Sequence, residues 1–478
     1  MDQVTALEAI GVPVATINST TPYSERKAIL DDVLSGHPKI RLLYVTPEFC
    51  ETESFRRNLT RIHAQGELNR VAIDEAHCIS EWGHDFRPAY KELSWFKRVF
   101  KSPPVPVTVL TATATPRVRV DIINLLGLDF GTLKSFNTPS ARPNIHYEVK
   151  YMTDSWGDPT DATDPQVLDI LSWLKSIQSR REARLGANGS GESNHGNSKI
   201  PPMSGIIYVP LRAVADSLAR TLSSYGGTHI RAVAYHAGLP ADERSRIQTM
   251  WTSRASSFDS ENGQTPAFSI IVATNAFGMG IDNPHVRFVV HWSPPRSFEG
   301  FVQESGRAGR DGRAAISVVY YNLEERERVQ ERIRKDDGST NRNASGGRRY
   351  PVRSQAAKER SLRARLESFQ KVVDYCETAD RCRHEIIKEY SGDLELEMMG
   401  STQENSGDRA SSSSSGAPTS PCDFACDFCK EGREVITNRR EAMYRAREVQ
   451  MVTGNCGSVA VAGWIQMMLS CGPMCHQC

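Results

Sequence analysis

The sequence predicts an α/β protein in which two parallel-sheet lobes stand in tandem ahead of a small helical region. Over residues 1–150, short apolar runs such as 69–77 and 105–116 end in small or charged residues and give way to helix-like segments. Strands of a parallel sheet are covered by helices on both faces, so they form continuous apolar runs. The same alternation resumes over 204–334, which predicts a second lobe of the same class.

The composition supports a folded chain of several domains. Of the 478 residues, 39% are hydrophobic and 24% are charged, which is enough to bury cores and excludes a wholly disordered chain. No run of 18 apolar residues occurs, so we expect no membrane span. The net charge of +1 does not indicate a globally basic protein, although a local basic channel for nucleic acid is still compatible with it.

Polar and Gly-rich stretches divide the chain. The segment 178–203 is rich in Gly, Ser, Asn and charge, which is typical of a linker or insertion, and 401–420 has a similar composition. The predicted order is a first lobe (1–150), a linker or insertion (151–203), a second lobe (204–334), a basic linker (335–352), a helical subdomain (353–432) and a poorly patterned tail (433–478).

The first lobe carries two carboxylates where a predicted strand ends. Asp74 and Glu75 directly follow the apolar residues 71–73 and begin the run Asp-Glu-Ala-His. In open α/β sheets, ligands bind beyond the carboxyl ends of the strands. Asp74 is suited to hold Mg²⁺ through water, and Glu75 is suited to polarise an attacking water. The hydroxyl-rich run Thr-Ala-Thr-Ala at 111–114 follows the next strand and could couple a nucleotide site to a neighbouring loop.

The second lobe carries two arginines among glycines. Arg307 and Arg310 lie in the run 303–312, and residues three apart on a helix share one face. An arginine that reaches across a domain cleft can stabilise the charge of a transferring phosphoryl group, an effect worth roughly 10³ to 10⁵ in rate. Another strand opens at 273–282 into a loop with Gly and Asp, which could contact nucleotide and nucleic-acid backbone. A solvated charged helix is the alternative interpretation of the arginine run.

These motifs, in this order, resemble those of the RecQ family of superfamily-two DNA helicases. The run His-Cys-Ile-Ser-Glu-Trp-Gly-His-Asp-Phe-Arg-Pro-Ala-Tyr at 77–90 is similar to the aromatic-rich loop of that family. The resemblance covers about 1–150, 204–325 and 355–430. It implies two RecA-like lobes and an ATP-dependent, Mg²⁺-requiring enzyme that separates DNA strands in the 3′ to 5′ direction. It further implies single-stranded DNA and duplex junctions as partners, roles in repair and recombination, and a nuclear location, with protein partners left unknown.

The resemblance assigns roles to individual residues. Arg307 and Arg310 would face the γ-phosphate, and Asp282 would belong to motif V. Residues 208–212 lie at the position of motif IV but depart from its usual Tyr-Cys-Ser pattern, so no role follows for them. The nucleotide-binding group would also include Asp74, His77 and Gln303. The DNA-contacting group would comprise Trp82, His84, Phe86, Arg87 and Thr274.

The physical chemistry of the DNA-contacting group agrees with that assignment. Aromatic faces stack bases without reading sequence, at roughly 1 to 3 kcal/mol per base. Arg87 would add a phosphate or cation–π contact. The alternative is that Trp82 and Phe86 are core aromatics, but they lie among His, Asp and Arg rather than in an apolar run.

Three cysteines within residues 422–429 have the spacing of thiolate ligands in a metal site. Cys422, Cys426 and Cys429 form a Cys-x₃-Cys-x₂-Cys cluster, and tetrahedral zinc needs a fourth ligand. By the family resemblance, Cys382 supplies it, because the family places a Cys-Arg-Arg sequence in a preceding helix and this chain has Cys-Arg-His there. Cys376 is the rival fourth ligand. Free surface thiols are the alternative for the whole cluster.

No Gly-Lys dipeptide occurs in the 478 residues, so they contain no Gly-x₄-Gly-Lys-[Ser/Thr] loop for the β- and γ-phosphates. No winged-helix pattern follows the cysteine cluster either. We therefore expect a fragment of a longer helicase, with a phosphate loop encoded upstream. A non-catalytic DNA-binding scaffold that retains the helicase shape is the second hypothesis. The catalytic hypothesis requires the acidic pair of the first lobe to face the arginine pair of the second lobe across a shared cleft.

Overall fold

The computed structural model shows an α/β protein with parallel sheets and C-terminal helices, which confirms the predicted fold class. It describes residues 2–80, 86–113, 115–153, 160–161, 163–187, 202–252, 266–278, 283–339, 355–393 and 426–455.

The N-terminal region builds two short parallel sheets. Strand β1 (Val14–Ile17) pairs with β2 (Leu42–Val45), and β3 (Val71–Ile73) pairs with β4 (Val107–Val109). A 3₁₀ helix follows β3 at Ala76–Ile79. The α-helices of this region are α1 (Asp2–Ala9), α2 (Tyr23–Val33), α3 (Pro47–Cys50), α4 (Glu53–Ala64), α5 (Ala89–Glu92), α6 (Trp95–Val99) and α7 (Pro116–Leu126).

Helix α4 shows how the sequence pattern builds this core. Its apolar residues Phe55, Leu59 and Ile62 recur at helical spacing and are buried in one cluster with Ile73 and Phe96. This apolar face therefore packs the helix against strand β3, which directly precedes Asp74.

The sequence at 115–127 fixes both ends of helix α7. Thr115 caps the first turn through its hydroxyl, which accepts a hydrogen bond from the Val118 amide at 3.4 Å, and Pro116 occupies the first turn. Gly127 ends the helix in the left-handed conformation at φ +66°. The helix therefore begins directly after the hydroxyl-rich strand exit at 111–115.

The second lobe contains a six-stranded, wholly parallel sheet in the order β5-β10-β9-β6-β8-β7. Every residue of its strand at 268–273 is buried, as expected for a strand covered on both faces. The strands are β5 (Ile145–Tyr151), β6 (Met203–Tyr208), β7 (Ile230–Tyr235), β8 (Phe268–Ala273), β9 (Val286–His291) and β10 (Ala315–Tyr321). The α-helices are α8 (Pro165–Ala187), α9 (Arg212–Tyr225), α10 (Ala241–Thr252), α11 (Phe298–Ser305) and α12 (Leu323–Ser339), with a 3₁₀ helix at Gly227–His229.

Strand β5 belongs to the second sheet, although the sequence analysis placed residues 1–150 in the first lobe. All seven of its residues pair in parallel with β10. A division by sheets therefore places the boundary between α7 and β5. A continuous apolar run indicates a strand but not its partner, because pairing is decided by contacts distant in sequence.

The predicted linker or insertion 151–203 contains helix α8. Its residues Val167, Ile170 and Leu174 are fully buried in the second-lobe core. Their helical spacing is confined to the first half of the helix. The polar residues of the second half made the whole segment resemble a linker in the sequence. This segment thus supplies core structure to the second lobe.

In the described residues after the second lobe there are four helices: α13 (Gln355–Glu377), α14 (Arg383–Ser391), α15 (Asp427–Glu431) and α16 (Arg433–Asn455). Helix α16 lies in the predicted tail 433–478, and its Ile436 and Met443, two turns apart, are buried. The side chain of Asp427 accepts a hydrogen bond from the Val149 amide at 3.0 Å. The helical region therefore covers the outer edge of β5, which would otherwise be an open sheet edge.

The helical region also contacts the first lobe. Asp393 accepts a hydrogen bond from the Ser140 amide at 2.7 Å, and the Arg119 guanidinium donates to the carbonyl of Ser391. Within the described ranges, no helix combines the length and apolarity needed to cross a bilayer.

Candidate functional site

Asp74 and Glu75 lie where the chain turns sharply away from strand β3. Glu75 has φ +49°, a left-handed conformation that is uncommon for a residue with a side chain. The Glu75 amide donates to Asp74 Oδ1 at 2.9 Å, and the Ala76 amide donates to the Leu110 carbonyl at 3.0 Å. The turn therefore places both carboxylates at the carboxyl end of the strand, as the sequence predicted. Backbone strain of this kind concentrates at functional sites.

His77 joins the two strand exits. Its Nδ1 atom is 3.0 Å from Thr111 Oγ1 and 3.3 Å from Glu75 Oε2, and the ring is buried. Thr111 Oγ1 in turn donates to the Thr113 carbonyl at 2.9 Å. The ring therefore links the acidic turn of Asp74 and Glu75 to the hydroxyl-rich exit of β4.

Tyr90 supports this turn and was assigned no role from the sequence. Its hydroxyl donates to the carbonyl of Asp74 at 3.1 Å, and burial raises its pKa. Tyr90 closes the aromatic-rich run at 77–90, so its place at the end of that motif was the available signal.

The predicted DNA-contacting residues are described only in part. Trp82 and His84 lie outside the described residues. Phe86 is half-buried, with the Lys91 ammonium 4.9 Å from its ring centroid, and the Arg87 amide donates to the Cys78 carbonyl at 2.9 Å. The described end of the run is therefore anchored next to the 3₁₀ helix that carries His77.

The arginines of the second lobe lie in a turn and not on a helix. Helix α11 carries Gln303 and ends at Ser305, so the expectation that Arg307 and Arg310 share a helix face is wrong. The reason is Gly309, whose φ of +59° is incompatible with a continuing right-handed helix. Residues 306–313, here called the arginine turn, place Arg307 inward and Arg310 at the surface.

Arg307 is buried beside the end of strand β6. Tyr208 donates its hydroxyl proton to the Phe277 carbonyl at 2.9 Å, and it also hydrogen-bonds Arg307. Burial raises the pKa of Tyr208, so it stays neutral. A Cβ atom on Gly278 would be 3.7 Å from Arg307 Nη2. Tyr208, which received no role from the sequence, thus connects the motif IV position to the arginine turn.

The loop after strand β8 meets the same site. The Thr274 amide donates to the Tyr235 carbonyl at 3.2 Å, and Thr274 is buried. Asp282 lies outside the described residues. Arg307 Nε is buried and has no hydrogen-bond acceptor among the described residues. A buried guanidinium N–H without a partner is costly, and a phosphate oxygen is a suitable acceptor for it.

A second site lies in the helical region. Ligand atoms of Cys382, His384 and Cys426 all lie within 4.8 Å of one another, and all three residues are buried. The two sulfur atoms are 3.8 Å apart, which matches the roughly 3.8 Å expected between thiolates that share a tetrahedral zinc at about 2.3 Å. The hydrogen bond from Cys382 lowers the pKa of Cys426, which favours the thiolate that binds metal.

The predicted ligands are only partly brought together. Cys382 and Cys426 are in the cluster, Cys422 lies outside the described residues, and Cys429 is exposed but hydrogen-bonds Cys382. The rival ligand, Cys376, is buried away from the cluster, and its carbonyl accepts a hydrogen bond from Tyr151.

His384 is a potential ligand that the sequence analysis did not assign. Its Nε2 atom is 3.2 Å from the carbonyl of Arg142, which leaves Nδ1 for a metal. Metal-binding histidines commonly donate their other ring N–H to such a carbonyl. A histidine two residues after a cysteine was the available signal.

A buried ion pair stands directly beside the cluster. Arg383 donates to both carboxylate oxygens of Asp427, from Nε at 2.8 Å and from Nη2 at 3.1 Å. These residues follow Cys382 and Cys426 in the chain. The pair therefore fixes the two cysteine backbones relative to each other and, through the Asp427 bond to Val149, to the sheet.

Comparison with known proteins gives helicase matches over both lobes. The family model for DEAD/DEAH box helicases matches residues 1–122, and the model for the helicase conserved C-terminal domain matches 196–312. ATP-dependent DNA helicase Q5 of Mus musculus is 33% identical over 93% of this chain, which corresponds to 37% of that protein. ATP-dependent helicase SGS1 of Saccharomyces cerevisiae is 30% identical over 94% of this chain and 25% of that protein. RecQ-like DNA helicase BLM of Xenopus laevis is 33% identical over 82% of this chain and 24% of that protein. The chain thus spans about a quarter to just over a third of these relatives.

Proposed function

This chain belongs to the RecQ family of helicases, and from that premise we propose that it is the motor region of an ATP-dependent 3′ to 5′ DNA helicase. Its substrates would be single-stranded DNA and duplex junctions. Its setting would be DNA repair and recombination in the nucleus.

The proposal gives the acidic turn and the arginine turn complementary roles in ATP hydrolysis. Asp74 would hold Mg²⁺ through water, and Glu75 would polarise the attacking water. Arg307 and Arg310 would stabilise charge on the transferring phosphoryl group. The buried Arg307 Nε without an acceptor supports this role, because a γ-phosphate oxygen would complete its hydrogen bonding. That these groups face one another across one cleft stays a prediction.

The observation that carries the proposal is the contact of His77 with both Glu75 and Thr111. It provides a physical route by which the state of the nucleotide site changes a neighbouring strand exit. A motor needs such a route, because ATP hydrolysis must change how tightly the protein binds DNA. Gln303 would extend the nucleotide site on the second lobe.

DNA would lie along the aromatic-rich run and the end of strand β8. Trp82, His84 and Phe86 would stack on bases, Arg87 would contact phosphate, and Thr274 would contact the backbone.

The helical region would bind one zinc ion. Cys382 and Cys426 supply two ligands at a fitting separation, and Cys422, Cys429 and His384 are the candidates for the remaining two. When bound, zinc would act as a structural crosslink of the helical region and would take no part in hydrolysis.

A non-catalytic DNA-binding scaffold is the second candidate function. The absence of any Gly-Lys dipeptide in these 478 residues favours it, since no Walker A lysine is present among them. Both functions include DNA binding. They differ in whether Glu75 takes part in ATP hydrolysis.

DNA binding is the first test. Fluorescence anisotropy with a single-stranded oligonucleotide should show that Phe86→Ala and Arg87→Ala each weaken binding by about 10-fold, the effect of losing one stacking or phosphate contact. Phe136→Ala removes an aromatic ring that is 91% exposed but lies outside the run, so it should leave affinity unchanged. Equal affinity of all three variants and wild type would remove this surface from the proposal.

Hydrolysis separates the motor from the scaffold. The 478-residue chain alone should show negligible DNA-stimulated ATP hydrolysis. In a chain that also carries a Gly-x₄-Gly-Lys-[Ser/Thr] loop, Glu75→Gln should lower turnover by at least about 100-fold while nucleotide binding persists. Unchanged turnover in Glu75→Gln, with DNA binding intact, would favour the scaffold.

A further inference from the structure

Two polar residues just before strand β5 contact the arginine turn, although no motif of the sequence analysis included them. Arg142 donates from Nη1 to the Gly306 carbonyl at 3.0 Å and from Nη2 to the Gly309 carbonyl at 2.6 Å. These two glycines flank Arg307, and Gly309 directly precedes Arg310. The guanidinium of Arg142 therefore bridges the backbone that sets the position of both proposed catalytic arginines.

Asn144 reinforces the same contact. Its Nδ2 atom donates to the carbonyls of Gly309 and Arg313, both at 2.8 Å, and its own carbonyl accepts from the Ala315 amide at 3.0 Å. A Cβ atom on Gly309 would lie only 2.4 Å from Asn144 Nδ2. The arginine turn is thus held at both ends by side chains that precede it in the sequence by more than 150 residues.

The end of a helix explains why a cation suits this position. The last carbonyls of an α-helix have no amide partners within it, and they carry the negative end of the helix dipole. The Gly306 carbonyl lies at the C-terminus of α11, where the Arg142 guanidinium supplies the missing donor. Burial lowers the pKa of Arg142, and the positive charge of Arg310 lowers it further.

The main chain of Arg142 contacts the candidate metal site of Cys382, His384 and Cys426. Its carbonyl lies 3.2 Å from His384 Nε2, and His384 belongs to the cluster with Cys382 and Cys426. One residue therefore contacts the arginine turn through its side chain and the cluster through its backbone.

We propose that Arg142 is a positioning residue that makes the geometry of the arginine turn depend on metal binding at Cys382, His384 and Cys426. With metal bound, His384 is fixed, the Arg142 carbonyl is fixed by it, and the guanidinium holds Gly306 and Gly309 in place. Without metal, the backbone of the arginine turn would lose this constraint. The catalytic meaning of the link rests on the proposed helicase activity, and the link itself rests on the proposed zinc site.

Hydrogen exchange measured by mass spectrometry on the zinc-loaded 478-residue protein tests the clamp. Arg142→Gln should increase exchange of the arginine-turn amides by about 10-fold or more, with zinc content unchanged. Arg142→Lys, which can reach one carbonyl, should give an intermediate value. Arg119→Gln is the matched control, because Arg119 also donates to a backbone carbonyl but at Ser391, away from the turn. Exchange in strand β8 should be unchanged in all variants, which separates a local effect from misfolding.

Metal removal tests the link. Chelation of zinc from the wild-type protein should raise exchange in the arginine turn, and in Arg142→Gln it should add little, because the constraint is already lost. Equal increments in both proteins would show that the metal does not act through Arg142. Unchanged exchange in Arg142→Gln would overturn the clamp. Since neither readout uses ATP, a failure of the proposed helicase activity would be visible separately.

Discussion

Gly309 shows how one residue shapes the site. It combines a left-handed backbone with neighbours so close that a methyl group has no room: Asn144 Nδ2 would be 2.4 Å away and the Arg313 carbonyl 2.8 Å away. Gly312 is also left-handed, at φ +75°, but no atom lies within 4 Å of a Cβ built there. A substitution at Gly312 therefore tests backbone strain alone, whereas a substitution at Gly309 tests backbone strain together with steric crowding.

We expect Gly309→Ala to lower the free energy of unfolding by about 2–4 kcal/mol, because it adds a clash to the strain of the left-handed region. Gly312→Ala should cost only about 1–2 kcal/mol, from strain alone. Urea unfolding followed by circular dichroism measures both values. Equal losses would mean that Asn144 moves aside at no cost and that the turn is less tightly packed than its geometry indicates.

At this scale, the sequence singled out candidate residues that belong to a local motif. Asp74, Glu75 and His77 were identified because a strand and a four-residue run are both visible in one stretch of chain. Tyr208 and Arg142 were not, since their hydrogen bonds are made with residues 69 to 167 positions away. No local pattern distinguishes an arginine that caps a distant helix from one that is solvated.

At the scale of structural elements, the helical region is the part whose stability we expect to depend most on a bound metal in addition to apolar burial. Its described cysteine cluster is assembled from the N-terminus of α14 and the N-terminus of α15, which are joined by a long polar segment. Holding such distant segments together costs chain entropy that a small core offsets poorly. A structural metal is the natural compensation.

We expect metal analysis to find about one zinc per chain in the wild-type protein. Cys426→Ser should abolish zinc binding and lower the thermal stability of the helical region, because a tetrahedral site does not retain zinc after losing a buried thiolate. Cys376→Ser changes a cysteine that is equally buried but outside the cluster, so it should keep its zinc. A folded wild-type protein without zinc would contradict the assignment.

The sequence predicted elements well where the apolar pattern was continuous and poorly where polar residues interrupted it. Strands β3, β4 and β8 were recognised from their runs. Helix α8 was missed because, among its residues of described burial, the buried ones lie in the first half. Helix α16 was missed because its buried residues Ile436 and Met443 lie among many charged residues. The helix expected around Arg307 and Arg310 was wrong because glycine conformation outweighed the charge spacing.

On the scale of the whole molecule, the boundary between the lobes is set by sheet pairing. Strand β5 is reached before the predicted linker, yet it forms one edge of the second sheet and receives the Asp427 side chain on its other side. The second lobe therefore begins with the strand whose outer edge the helical region covers.

A fragment of residues 138–455 should consequently fold, whereas one of residues 153–455 should not. The shorter fragment loses β5 and exposes the edge of β10, and an open apolar edge promotes aggregation. Both fragments lose the first lobe, so that loss is matched between them. Thermal unfolding by circular dichroism, with size-exclusion chromatography, compares the two. Equal melting temperatures and equal monomer content would show that β5 is dispensable.

The pairing of β5 with β10 also constrains how the protein is made. Paired residues such as Ile145 and Ala315 are 170 positions apart, and the ribosome adds about 5–20 residues per second. Strand β5, whose Tyr147 and Val149 are buried in the folded protein, therefore stays unpaired for roughly 10–35 seconds until β10 has been synthesised. During that time the nascent chain presents an unpaired strand with one uncovered apolar face, which is a feature that chaperones can bind during translation.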